Sequence, residues 1–133
     1  MTHLGIDREL GIRTPKQSRI FAIVNPTSLV RKKNISLLCN TNTYKNWPLG
    51  HGKFRVAGNL GPLMQSIREV KSEGYDDVMW MIDDFIKELN VHNVFVLWKS
   101  RFGKLELITP PDDGCIFNSN ARRSIIEISA KIK

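Results

Sequence analysis

Few side chains in this sequence combine a reactive type with a useful spacing, and most of those carry basic nitrogen. Lys53 and Arg55 stand two residues apart and share a face if the segment is extended. Lys53 offers an amine, a nucleophile once deprotonated. The Arg55 guanidinium stays protonated at ordinary pH and is a poor nucleophile, so an arginine in a strand edge or loop accounts for it. Glu88, taken alone, reads as a turn or surface carboxylate, and His92 as a packing residue rather than an acid or base. Cys39 and Cys115 lie far apart with no C-x-x-C spacing, which argues against a disulfide scaffold and a zinc site. His3, His51 and His92 are scattered, and no metal site is expected.

The elements that must position these groups follow from periodicity and punctuation. Met1 to Gln17 is polar and irregular and reads as an N-terminal arm or linker. Ser18 to Asn25 is a continuous apolar run closed by Pro26, which suits a buried strand, and Ile35 to Cys39 is a second strand. Asn40 to Gly52 is loop-like, with Tyr44 and Trp47 as its anchors. After Gly61-Pro62, the spacing of Leu63, Met64, Ile67 and Val70 describes one face of an amphipathic helix, which Gly74 stops. Val78 to Ile82 is apolar on both faces, as in a buried strand, and breaks at Asp83-Asp84. Asn93 to Lys99 and Lys104 to Thr109 flank a short Gly-containing connection and read as a hairpin. Asn118 or Ser119 is a candidate N-cap for a helix from about Ala121 to Lys131, with Ile125, Ile128 and Ile132 as its buried stripe.

That order predicts an α/β or α+β fold with a mixed sheet and packed helices. A length of 133 residues bounds it to one ordinary domain, taken as residues 18–133 after the arm at residues 1–17. No apolar run approaches the roughly 18 residues that cross a bilayer. The N-terminus has neither an apolar secretory segment nor the Arg-rich, acid-poor look of a transit peptide, and an intracellular, reducing compartment is the default. The net charge of +7 favours acidic partners or nucleic acid. The cations are dispersed, however, as Arg31-Lys32-Lys33, Lys99 with Arg101 and Lys104, Arg122-Arg123, and Lys131 with Lys133. Solvated surface charge explains them, since no aromatic-interleaved basic motif stands out.

Several strings, taken in order, resemble the large cofactor-binding domain of the branched-chain amino acid aminotransferases, fold-type IV enzymes that use pyridoxal phosphate. Leu10-Gly11-Ile12 with Pro15 and Ile20 to Asn25 resembles the segment that enters that domain. Tyr44, Trp47 and Gly50-His51-Gly52 lead into Arg55-Val56-Ala57-Gly58-Asn59-Leu60, where the family has Lys, a variable residue, Gly-Gly-Asn and Tyr. Val78 and Trp80 fit the strand that follows, and Glu88 with Asn93 and Phe95 fits a Glu…Asn-Leu-Phe string. Thr109 to Gly114 is close to the family's Thr-Pro-Pro-Leu-Asp-Gly, and Arg122-Arg123 with Ile126 matches the helix below the phosphate site. The resemblance implies part of a class IV aminotransferase large domain, without the family's small N-terminal domain and without the C-terminal segment that closes the phosphate site.

It also implies losses. The family lysine holds the cofactor as a Schiff base and moves the substrate proton, and Arg55 at its position does neither. Lys53 is a poor substitute, since two strand positions displace the amine by roughly 6.5 Å. Leu60 replaces the tyrosine that hydrogen-bonds the cofactor. Glu88 matches the acid beside the pyridine nitrogen. The phosphate-binding Gly-Val-Thr corresponds to Ser119-Asn120-Ala121, where a helix N-terminus still attracts an anion. Val91 and His92 fall where the family has polar and small residues. Cofactor-binding residues are thus Glu88, Asn120 and Ala121, and only if pyridoxal phosphate is retained; otherwise no cofactor is expected.

Fold motifs kept and chemical groups lost predict a non-catalytic, aminotransferase-like protein serving as a structural or interaction subunit of a larger assembly, with a protein partner on its uncovered apolar surface. Residual pyridoxal-phosphate-dependent transamination is the alternative. A basic nucleic-acid-binding module, driven by Arg31-Lys32-Lys33 and the last helix, is the second alternative. The resemblance implies a homodimer as one assembly state and a mitochondrial or cytoplasmic location.

Overall fold

A computed structural model describes residues 1–26 and 34–132; Arg31-Lys32-Lys33 and Lys133 lie outside the described residues. The chain divides into two compact units, Met1–Lys32 and Lys33–Lys133.

In the first unit, β1 (Thr2–Gly5) pairs antiparallel with β2 (Ser18–Phe21), Thr2 facing Phe21 and Gly5 facing Ser18. The segment expected to be an irregular arm thus supplies a strand. Its ends are drawn together by the Asp7 carboxylate, which accepts from the backbone N–H groups of Lys16 (2.8 Å) and Gln17 (2.9 Å). Gly5 is needed there, because a Cβ would stand 2.8 Å from the Pro15 ring. The expected buried strand at Ser18 to Asn25 is shorter, and all four residues of β2 are exposed, as are Ile23 and Val24. A two-stranded ribbon covers neither of its own faces.

The second unit holds the core. β3 (Leu37–Asn40) runs parallel to β4 (Asp77–Ile82), which pairs antiparallel with β5 (Phe85–Leu89), so the sheet is mixed, as the α/β reading requires. The crossover between β3 and β4 contains α1 (Gly61–Ser72), with Pro62 in its first turn. Leu63 and Val70 are buried and Ile67 packs beside them against Val78 and Trp80 of β4, one helix face on one sheet face. Met64, expected on that face, is exposed. The helix ends in a double clasp: Tyr75 N–H donates to Val70 O (3.0 Å) and Gly74 N–H to Lys71 O (3.4 Å), with Gly74 at φ +80°.

Asp83 (φ 47°) and Asp84 (φ 64°) form the two-residue turn joining β4 and β5, a conformation that short polar side chains tolerate best. β5 is absent from the expectations above. Between the pairs Trp80–Glu88 and Met81–Ile86 the register slips by one residue, inserting Lys87 as a bulge. β6 (Val96–Lys99) and β7 (Leu105–Ile108) form the expected hairpin, exposed along its length. α2 (Asn120–Lys131) starts on Ser119, whose hydroxyl accepts from Arg122 N–H at 3.1 Å. Its expected buried stripe is not buried: Ile125, Ile128 and Ile132 are exposed, and Arg122 is the one buried residue of the helix. The polar packing of Arg122 fixes α2 instead, through Pro110 O (2.7 Å) and Asn118 Oδ1 (3.0 Å). No helix among the described residues is long and apolar enough to cross a membrane.

Candidate functional site

The loop between β3 and α1 folds back over β5 and builds one side of a cleft. Asn40, at the end of β3, starts it: its side-chain oxygen accepts from the N–H groups of Asn42 (3.0 Å) and Thr43 (3.1 Å), an Asx turn that reverses the chain. Tyr44 and Trp47, the expected anchors, point outward and are exposed. The residues between them hold the loop. Asn46 is buried and donates to Cys115 O at 3.1 Å and to Glu88 Oε1 at 3.3 Å. Gly52 lets the loop touch the chain at Gly114 and Cys115, where a Cβ would come within 2.5 Å of Gly114 O. Asn59 then pins the next turn, donating to His51 O (2.8 Å) and Phe54 O (2.9 Å).

Glu88 sits on the floor of this cleft. It is 3% exposed, so the surface reading is overturned. Its Oε1 lies 2.7 Å from Lys45 Nζ, and its Oε2 accepts from Phe117 N–H at 3.0 Å. The Lys45 side chain is only 9% exposed, and its ammonium also donates to Asn90 O (2.7 Å) and Leu89 O (3.4 Å). All three of its donor positions are filled, with no nitrogen lone pair turned into the cleft. Charge at the floor is therefore internally paired.

Arg55, Leu60, Phe54, Val56, Val91 and His92 line the upper walls, with Asn93 and Phe117, of a cleft partly open to solvent. The Arg55 guanidinium lies 5.3 Å above the Phe117 ring. His92 is exposed rather than packed, its Nδ1 3.8 Å from Asp77 Oδ2. Lys53 is not a lining residue. A turn closed by Phe54 N–H on His51 O (3.0 Å) replaces the extended geometry that would put it beside Arg55, and its ammonium rests 5.2 Å over the Phe54 ring.

Asn120 and Ala121 begin α2 and are exposed, outside the cleft lining. Asn120 Oδ1 accepts from Arg123, and the Ser119 hydroxyl is used twice, capping the helix and donating to Asn93 Oδ1 at 2.7 Å. Asn93 in turn donates to Phe117 O at 2.7 Å, linking the start of α2 to the cleft wall. Lys45, Asn46, Asn90 and Phe117 are site residues that sequence reasoning missed. Their one available signal was that a buried Glu88 demands a cation and hydrogen-bond donors.

Beside the floor, Lys87 pairs with Asp113 at 2.6 Å. Burial alone would raise the Asp113 pKa, but the Lys87 ammonium and the Cys115 N–H outweigh it and hold the carboxyl below its usual value. Cys115 is 2% exposed, and burial, with Asp113 adjoining, pushes its thiol up to about 11. Cys39 is exposed. In the native protein at neutral pH a small thiol reagent is expected to label Cys39 and spare Cys115 until denaturant is added; rapid labelling of both would contradict the packing around Cys115.

No protein-family model matches the chain. It is 30% identical over 132 residues to the mitochondrial branched-chain-amino-acid aminotransferase of Schizosaccharomyces pombe, covering 96% of this chain and 31% of that protein. It is 31% identical over 133 residues to the branched-chain-amino-acid aminotransferase of Monosiga brevicollis, covering 96% and 34%. To the cytosolic enzyme of Rattus norvegicus it is 30% identical over 133 residues, covering 96% and 32%. The chain spans about a third of the length of the curated relatives it matches.

Proposed function

As a relative of the branched-chain-amino-acid aminotransferases along nearly its whole length, the chain is built like part of their fold, and we propose that it is a non-catalytic member of that group, serving as a structural or interaction subunit. The carrying observation is the state of the cleft's cations. The resemblance puts Arg55 at the position of the Schiff-base lysine, and its guanidinium is no nucleophile. The one amine of the cleft, Lys45, is engaged by Glu88 and two carbonyls.

These residues do not fit pyridoxal phosphate. Glu88, the carboxylate that would meet a ring nitrogen, already accepts from Lys45, Asn46 and Phe117. Leu60 offers no polar atom, and Ser119 spends its hydroxyl on the α2 cap and Asn93. No step is derived through the cofactor. Exposed apolar side chains on both strands of the β6–β7 hairpin, among them Leu97, Trp98 and Leu107, together with Ile125 and Ile128 of α2, support a protein partner. The names of the relatives support a mitochondrial or cytosolic location.

Adding pyridoxal phosphate to the purified protein is expected to give no absorption band of a lysine-bound cofactor, in wild type or in Lys53→Ala. A band in wild type that disappears in Lys53→Ala would overturn the non-catalytic reading and favour residual transamination. Native purification tests the other half: a stoichiometric companion chain is expected, and a monomer with no companion counts against a subunit role.

A further inference from the structure

We propose that the tip of the β6–β7 hairpin docks on the surface of an anionic phospholipid bilayer, with Phe102 and Leu105 entering the apolar layer and Lys99, Arg101 and Lys104 meeting the lipid phosphates. This goes beyond the subunit reading, since the partner is a lipid surface rather than a protein, and it is independent of whether the cleft is catalytic. Charge beside exposed hydrocarbon is the first reason. Lys99, Arg101 and Lys104 fall within six residues, and Glu106 is the one acidic side chain from Val96 to Ile108. None of the three cations is in an ion pair among the described residues. Beside them Phe102 is 82% exposed, Leu105 68% and Trp98 54%. Cations near an anionic bilayer add attraction one by one, and an indole favours the boundary between headgroups and hydrocarbon.

The shape of the hairpin is the second reason. Lys99 faces Leu105 and Trp98 faces Glu106 across the ladder, so Leu97 and Leu105 lie on one face, Trp98 on the other, and Phe102 in the turn. One flat partner cannot cover apolar groups on both faces and at the tip, whereas edgewise entry into a bilayer covers them together. The turn is suited to leaving water. Ser100 N–H donates to Lys104 O (2.8 Å), Gly103 N–H to Ser100 O (2.9 Å) and Lys104 N–H to Ser100 Oγ (3.2 Å), so these backbone donors need no solvent. Interfacial segments sink roughly 5–10 Å, about two to three strand positions. That depth takes in Phe102 and Leu105 and lets the lysine stems reach back to the phosphates, while Trp98 and Glu106, one position further from the tip, stay at headgroup level.

Flotation of the full chain with vesicles of phosphatidylcholine, and of phosphatidylcholine with about 30% phosphatidylserine, tests this directly. Binding to the mixed vesicles is expected at low salt, with little to phosphatidylcholine alone, and added salt is expected to weaken it. Tryptophan emission is expected to move to shorter wavelength on binding, and Trp98→Phe to abolish that shift. Phe102→Ser is expected to lose about tenfold in affinity, Lys104→Gln about fivefold, and Lys99→Gln, Arg101→Gln and Lys104→Gln combined about a hundredfold. Lys71→Gln, at an exposed cation of α1, is expected to change affinity by less than about twofold, which separates the tip from the diffuse charge of the chain. All these side chains are exposed, so the variants are expected to keep the wild-type circular dichroism spectrum. No binding to the mixed vesicles, equal binding to both compositions, an affinity unchanged in Phe102→Ser, or a loss in Lys71→Gln as large as that in Lys104→Gln would each overturn the proposal. Full release by inorganic phosphate at constant ionic strength would also overturn it, as the mark of a free-anion site. A protein companion that co-purifies while vesicles stay unbound would keep the subunit reading and sink this one.

Discussion

Replacing Lys45 with methionine is expected to lower the unfolding free energy by about 3–5 kcal/mol, the range for removing one partner of a buried ion pair. The reason lies in what remains. Glu88, 3% exposed, would be left with only the Asn46 amide and the Phe117 N–H as partners, and the carbonyls of Leu89 and Asn90 would lose a donor. Against the 5–15 kcal/mol that typically holds a domain together, such a loss is large. Denaturant unfolding of Lys45→Met reads it as a lower midpoint. Adding Glu88→Gln to Lys45→Met should return part of the loss, since a neutral amide costs less to bury than an unpaired carboxylate. Glu88→Gln alone should destabilise, because it leaves the ammonium facing an uncharged oxygen. Two single losses that simply add in the double variant would mean that the 2.7 Å pair carries no coupling.

The same pair shows where the sequence was legible and where it was not. Glu88 stood out through the string around it, but its strand did not. Phe85–Leu89 carries two charges in five residues, and the bulge at Lys87 breaks the alternation by which a strand is recognised. Lys45 and Asn46 lie in a loop rich in Asn, Thr and Gly, where no periodicity marks an inward-facing residue. Tyr44 and Trp47 looked like anchors because large aromatics usually bury, yet the polar pair between them is what the floor needs. A contact made by far-separated residues has no local signature, so the site became visible only with β5 and the loop in place.

Elements with local causes were read correctly. Pro62 and Gly74 bound α1, Asp83-Asp84 turns β4, Gly103 turns the hairpin, and Ser119 caps α2. Burial was harder. Ile125, Ile128 and Ile132 repeat as a buried stripe does, and Ile20 and Phe21 sit in an apolar run, but periodicity states only that a face is apolar and does not say what covers it. α1 differs because its partner is present: the side chains of Val78 and Trp80 meet Leu63 and Val70.

Trp80 is the residue through which that core reaches the cleft, and Trp80→Ala is expected to cost about 3–5 kcal/mol. Its indole is 2% exposed and packs with Leu63, Val70 and Val78, while its Nε1–H donates to Asn90 Oδ1 at 3.0 Å. Asn90 passes the constraint on in two directions: its amide donates to Asp77 Oδ1 at 2.5 Å, and its carbonyl accepts from Lys45 at 2.7 Å. Truncation at Trp80 therefore leaves a cavity and an unpaired buried acceptor together. Trp80→Phe separates the two effects, keeping most of the packing while removing the donor, and is expected to cost about 1–3 kcal/mol. Chemical denaturation of the pair resolves them. If Trp80→Phe proves as damaging as Trp80→Ala, the hydrogen bond to Asn90 outweighs the packing, and the positioning of Lys45 rests on the core residue itself. If Trp80→Phe is nearly neutral, the cleft floor is held by the Lys45–Glu88 pair and the Asp77–Asn90 bond without help from the indole.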